Sequence, residues 1–159
     1  MQKKVIAGII AVLVIAAGIL AYMNRSGADD RSGLLIISGG KEILVAWEDI
    51  ASESFSGEMV NGKGETSQHD FTGAELNSIL SSQNIAVSAD SGITATSEDN
   101  YSAELTGAEV LEIGKVYVAL TDNGKQIEGI DGGQGGQLIV FGDPNSKRAV
   151  RYLKIIEVR

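Results

Sequence analysis

The sequence predicts an α+β domain that is mainly β: a compact mixed sheet with two short helices, preceded by one transmembrane helix. Three observations lead there. Short apolar runs separated by Gly, Asn and Asp turn signals recur through residues 34–159. Two hydroxyl-x-x-Glu patterns, Thr72 with Glu75 and Thr106 with Glu109, have the form of helix capping boxes. An uncharged stretch opening at Val5 and ending at Met23 comes before all of these.

That stretch is 19 residues long. As a helix it spans about 28 Å, close to the hydrocarbon thickness of a bilayer. Lys3 and Lys4 stand before it and favour a cytoplasmic end at residues 1–4, although Arg25 and Arg31 oppose that bias. Tyr22 falls where an interfacial aromatic belongs. A cleaved signal peptide is the competing reading. Its apolar core is usually about 7–15 residues long and ends in a small-x-small site. This run is longer, and Leu20-Ala21-Tyr22-Met23 is a poor cleavage site, so an uncleaved anchor over residues 5–23 is favoured. Either way residues 34–159 are expected outside the cytoplasm, with residues 24–33 as a polar linker.

Within the domain, residues 34–37 and 43–47 read as two strands joined at Ser38-Gly39-Gly40. Residues 53–68, with Gly57, Gly62 and Gly64, read as loop-rich with one short strand near Met59. The pattern at Thr72 predicts a helix over residues 73–82, with Leu76, Ile79 and Leu80 at helical spacing. Ile93 and Ala95, then Tyr101, Ala103 and Leu105, alternate with polar residues and predict two half-buried strands around Glu98-Asp99-Asn100. The pattern at Thr106 opens a brief second helix. Residues 116–120 read as a strand, Asp122-Asn123-Gly124 as a hairpin turn, and residues 125–127 as the return. A glycine-rich bend over residues 129–136 leads to a strand at 138–141 and a turn at Gly142-Asp143-Pro144-Asn145. The final strand is expected over residues 149–158, with Val150, Tyr152 and Ile156 on one face and Leu153 and Ile155 on the other, covered on both sides.

Composition narrows the chemistry. The chain has no cysteine, which excludes disulfides, thiolate metal sites and a cysteine nucleophile. Beyond Met23 there are 11 basic and 21 acidic residues, a net charge of −10. A domain so acidic repels nucleic acid and anionic lipid, so no nucleic-acid partner is expected.

Single features that suggest catalysis weigh less than their plainer readings. His69, the only histidine, stands beside Asp70, but no serine nucleophile motif accompanies it, and a solvated loop histidine is favoured. Gly132-Gly133-Gln134-Gly135-Gly136 lacks the lysine of a phosphate loop and opens no helix, so it reads as a turn. The C-terminal segment differs from the rest. Lys147, Arg148, Arg151, Lys154 and Arg159 place 5 of the 11 basic residues within 13 positions. Arg148 and Arg151, at its start, are the candidate site for a small anionic ligand or a protein partner; a charged edge strand that resists aggregation weighs equally.

From about Lys41 to Arg159 the order of motifs resembles the molybdopterin-binding domain of the sulfite oxidase family. Residues 71–80, Phe-Thr-Gly-Ala-Glu-Leu-Asn-Ser-Ile-Leu, look like the family's aromatic-x-Gly-x-x-Leu-x-x-Ile-Leu segment. Asp99-Asn100-Tyr101 resembles its Asp-Gly-Tyr strand, with Asn100 in place of glycine. Residues 116–129, 136–140 and 147–158 resemble three later strands in order, with Gln137 in place of a proline and Arg151 in place of a lysine. Active members of the family hold molybdenum through a cysteine thiolate, expected before Phe71, and residues 55–70 contain none. The resemblance therefore implies the family's fold without molybdenum, and leaves any other cofactor unknown. The leading expectation is a membrane-anchored, extracytoplasmic binding or accessory module. Two alternatives stand beside it: an oxidoreductase or electron carrier that uses non-thiolate ligation, and a surface structural or adhesion protein.

Overall fold

A computed structural model describes residues 32–144 and 146–159. The expected cytoplasmic end, the anchor over residues 5–23 and most of the linker lie outside them. Among the described residues no helix is long and apolar enough to cross a membrane.

The described residues form two sheets and two short α-helices, with a single 3-10 turn at Trp47–Asp49. β1 (Gly33–Ser38) turns at Gly39 and Gly40, both at positive φ, into β2 (Lys41–Ala46). β3 (Glu53–Val60) and β4 (Thr66–Glu75) follow as a hairpin, and β4 runs directly into α1 (Leu76–Ser82). β5 (Gly92–Ser97) and β6 (Ser102–Thr106) form a second hairpin, and α2 (Gly107–Leu111) comes next. The remaining strands are β7 (Val116–Asp122), β8 (Lys125–Gln126), β9 (Gln137–Val140) and β10 (Leu153–Val158). One sheet has the order β2-β1-β10-β5-β6, with β1 and β10 parallel and the other pairs antiparallel. The other has the order β3-β4-β7-β8, with β9 also paired to β7.

Side-chain alternation explains why both sheets are needed. Leu34, Ile36, Ile93, Ala95, Ile156 and Val158 of the first sheet share one buried cluster with Val116, Val118, Leu138 and Val140 of the second. Leu76, Ile79 and Leu80 of α1 join the same cluster. The opposite face of the second sheet carries a smaller aromatic layer of Phe71, Tyr117 and Ile139, bordered by Phe55, Met59, Ile127 and Phe141. Tyr117 and Phe55 stack with ring centroids 4.0 Å apart.

Several expectations hold at the level of individual residues. The β5–β6 hairpin pairs Ala95 with Ala103 and Ile93 with Leu105. Asn100 in its turn has φ 67°, a conformation in which asparagine is the best substitute for glycine. Thr106 and Glu109 form a reciprocal capping box at α2. Asn123 and Gly124, with φ 49° and 76°, both take the left-handed conformation of a tight hairpin turn.

Four readings are corrected. Residues 53–68 are a long antiparallel hairpin, paired from Glu53–Gly73 to Val60–Thr66, and only its tip is loop. Thr72 does not cap a helix: residues 72–75 belong to β4, which pairs with β7, and α1 begins at Leu76 without a side-chain cap. The Glu75 carboxylate instead accepts hydrogen bonds from the Gly114 N–H at 2.7 Å and the Tyr117 hydroxyl at 3.3 Å. The final strand begins at Leu153, because Tyr152 has φ 51° and its exposed side chain leaves the face expected for it. Val150 lies ahead of that kink and exchanges hydrogen bonds with Leu138 of β9. The closing segment thus touches the second sheet through Val150 and enters the first sheet as β10. Finally, β10 buries Leu153, Ile156 and Val158 while Lys154 is exposed and Ile155 half-buried, so only one face is fully covered.

Candidate functional site

Two clusters of polar side chains stand out. The first surrounds Arg148. The capping box holds Glu109 firmly: its carboxylate accepts from the Thr106 N–H at 3.0 Å, and its own N–H donates to the Thr106 hydroxyl at 3.2 Å. The free carboxylate oxygen faces Arg148, whose Nη1 donates to it at 2.7 Å. On its other side the Arg148 Nε donates to Asp143 at 3.0 Å, and the Arg148 backbone N–H donates to the same carboxylate at 3.1 Å. Gly142, with φ 79°, makes the turn that brings Asp143 back to Arg148.

Electrostatics follow from these contacts. Burial works against charge on Glu109, but the Thr106 N–H and the Arg148 guanidinium outweigh it and hold its carboxyl below the usual glutamate range. The Glu109 hydrogen bond raises the already high value of Arg148, against the opposing effect of burial. The arginine is therefore neutralised on two sides. A cavity of about 380 Å³ opens beside it, lined by Glu109, Glu112, Ile113, Lys115, Phe141 and Arg148, among others. Lys115 reaches Glu112 at 2.7 Å, so both cations in the lining face carboxylates. Ile113, 90% exposed, stands at this cavity as an uncovered apolar side chain. Arg151 is not among the lining residues and is exposed on the turn before β10. The structure thus places Arg148 in a cavity wall and leaves Arg151 apart from it.

The second cluster lies on the β3–β4 hairpin and was missed in the sequence. His69 is part of β4, not a loop, and its partner is not Asp70. Its Nδ1 meets the Asp122 carboxylate at 2.8 and 3.0 Å, and its Nε2 meets the Ser67 hydroxyl at 2.9 Å. Its ring stacks on Phe71, with centroids 5.6 Å apart and planes within 8°. Ser67, His69 and Phe71 share a face because side chains alternate along a strand. Asp122 stands on the neighbouring strand, where β7 pairs Asp122 with Phe71. The two-residue spacing of Ser67 and His69 was visible; the pairing of His69 with Asp122, 53 positions along the chain, was not.

No protein-family model matches the sequence, and no curated protein matches it. Among solved structures, the chain is similar to the sulfane dehydrogenase SoxCD from Paracoccus pantotrophus, with a TM-score of 0.62 and 16% sequence identity. The likeness covers 84% of this chain and 40% of that one, so the chain spans well under half the length of the dehydrogenase chain it matches. At this identity the likeness carries the fold alone.

The donor set can be tested against the cofactor that the sequence resemblance implies. Residues 55–70, where the sequence resemblance places a metal-holding thiolate, form the β3–β4 ladder and offer Ser, Glu, Met, His and Asp side chains. No cysteine stands there or elsewhere in the chain. Among the described residues no group of three or more His, Cys, Asp or Glu side chains is placed to hold a metal ion. The residues present do not fit thiolate-bound molybdenum.

Proposed function

We propose that residues 34–159 are an extracytoplasmic binding or accessory module, held at the membrane by residues 5–23 and built on a sulfite-oxidase-like scaffold that carries no molybdenum. One observation carries this reading. A chain whose fold is like that of a molybdopterin oxidoreductase subunit has no cysteine with which to ligate the metal. A scaffold that loses its metal ligand keeps its surfaces, and surfaces are what a binding module uses.

The cavity beside Arg148 supports a ligand with an anionic group, either a small molecule or an acidic side chain of a partner. Such a group would compete with Glu109 and Asp143 for the guanidinium. The near balance of charge in the cavity lining favours a ligand that also carries a positive or apolar portion, to meet Glu112 and Ile113.

Expression of the full chain in a host that makes the molybdenum cofactor, followed by elemental analysis, tests the reading directly. The expected result is no stoichiometric molybdenum; one metal per chain would refute it. Protease treatment of intact cells tests the topology, with digestion of residues 34–159 expected and complete protection contrary to it. Titration with sulfate, followed by thermal shift, tests the anion site. A rise in midpoint that is lost in Arg148→Gln is expected.

A further inference from the structure

We propose that Ser67 is a nucleophile for acyl transfer from activated esters, with His69 as its general base and Asp122 as the residue that positions the histidine. The inference is independent of the cavity beside Arg148 and of the binding-module reading.

The geometry sets the roles. A carboxylate can only accept, so the 2.8 Å contact with Asp122 requires that His69 Nδ1 carry the proton. In the neutral imidazole Nε2 then carries the lone pair, 2.9 Å from the Ser67 oxygen, where it can accept the serine proton. A serine hydroxyl needs such an adjacent base to act as a nucleophile. Three supports hold the imidazole: the Asp122 carboxylate, the Phe71 ring beneath it, and the strand backbone that sets the Ser67–His69 spacing. Ser67 is exposed and so open to substrate.

The surroundings indicate the substrate class. Met59, half-buried, pairs directly across the ladder from Ser67. Gly57 pairs across from His69, and the Phe141 ring lies over it, close enough that a Cβ at Gly57 would meet a ring carbon at 2.3 Å. Met59 and Phe141 give the nucleophile an apolar border suited to an aryl group. The hydroxyl stands at the surface, so water stabilises most of the charge on a tetrahedral intermediate. Buried oxyanion donors typically supply about 100- to 1000-fold. Without them the activity is confined to esters with good leaving groups, such as aryl esters.

The reaction balances without a further reagent. The Ser67 oxygen bonds to the ester carbonyl carbon as its proton passes to His69 Nε2. The carbon–oxygen bond to the leaving group then breaks, and the leaving oxygen takes that proton and departs as a phenol. Water repeats the sequence on the acyl-serine. The carboxylic acid is released and Ser67 is restored.

The test uses the full chain with p-nitrophenyl acetate and, separately, a fluorophosphonate. The site of each adduct is located by peptide mass spectrometry. The expected result is an adduct on Ser67, absent in Ser67→Ala, with labelling slowed about 100-fold in His69→Ala and partly restored by added imidazole. Asp122→Asn slows labelling by a similar factor, since the amide does not hold the required tautomer, and Asp122→Glu recovers it. The recovery separates a positioning role from a merely structural one. An adduct only at other residues, unchanged labelling of Ser67 in His69→Ala, or parent-like ester hydrolysis by Ser67→Ala would each overturn the proposal. The last would mark His69 itself as the nucleophile. Should His69→Ala fail to fold, Ser67→Ala, which alters an exposed side chain, decides the question with the adduct map.

Discussion

Replacing Arg148 with methionine keeps most of the apolar stem and removes the guanidinium. Two carboxylates then lose their shared partner, Glu109 at 2.7 Å and Asp143 at 3.0 Å. A hydrogen bond to a charged group contributes about 1.5–3 kcal/mol. Here the arginine side chain is 32% exposed, while Glu109 and Asp143 are 20% and 10% exposed. Solvent screening on the arginine side reduces the gain, and the two bonds together stabilise by about 2 kcal/mol. For a domain of this size that is a fall in melting temperature of about 6–8 °C. Thermal and urea unfolding, followed by circular dichroism, measure it. The pH dependence gives a second check. Glu109 titrates lower in the folded domain than at its ordinary 4.5. Its contribution is therefore complete above that value and is lost as pH falls through the lower, folded value. The gap between parent and Arg148→Met is expected to be full at neutral pH and to close in acid. Equal midpoints at neutral pH would show that Arg148 is a solvated surface charge, and a gap that persists unchanged in acid would show that packing of its stem, not its ion pairs, carries the stability.

Three other outcomes are expected. Ile156→Ala, at a fully buried position of β10, destabilises by about 2–5 kcal/mol in urea unfolding, since it opens a cavity between the sheets. Gly73→Ala destabilises by at least about 1–3 kcal/mol, because its Cβ would lie 2.0 Å from the Val118 carbonyl oxygen, which belongs to backbone and cannot swing away. Thr106→Ala removes the hydroxyl half of the α2 capping box and lowers stability by about 1 kcal/mol; an unchanged midpoint would mean that tertiary packing alone holds that turn.

The parts of the fold that sequence made legible are those decided locally. Ile93 with Ala95, the capping box at Thr106 and the turn at Asn123-Gly124 each carry their reason within a few residues. The two Thr-x-x-Glu patterns show where local reasoning ends. At Thr106 the glutamate folds back on the cap, whereas at Thr72 the neighbouring residues are held in β4 by pairing with Val118 and Ala119. The β3–β4 hairpin was obscured for a similar reason: Gly57 looks like a breaker until the Phe141 ring from a distant segment is laid over it. The kink at Tyr152 depends on Val150 being taken by Leu138, and no spacing in the sequence signals that. Of the sites, the basic cluster drew attention to Arg148 but not to Asp143 or Glu109 as its partners. The histidine was visible without the serine and aspartate that flank it.

The parallel pairing of β1 with β10 has a kinetic consequence. Leu35 meets Ile155 across 120 positions of chain, and β10 also supplies the edge on which β5 and then β6 assemble. Until residues 153–158 arrive, the first sheet exists only as two separate hairpins with no strand between them. Hairpins of that kind are marginal alone in water. A ribosome that delivers the chain from its N-terminal side therefore releases the keystone last, and the loop to be closed is nearly as long as the domain. Such a nascent domain stays uncommitted, and open to chaperones, until β10 emerges; folding then runs as a single closure instead of growing outward from the first strands made.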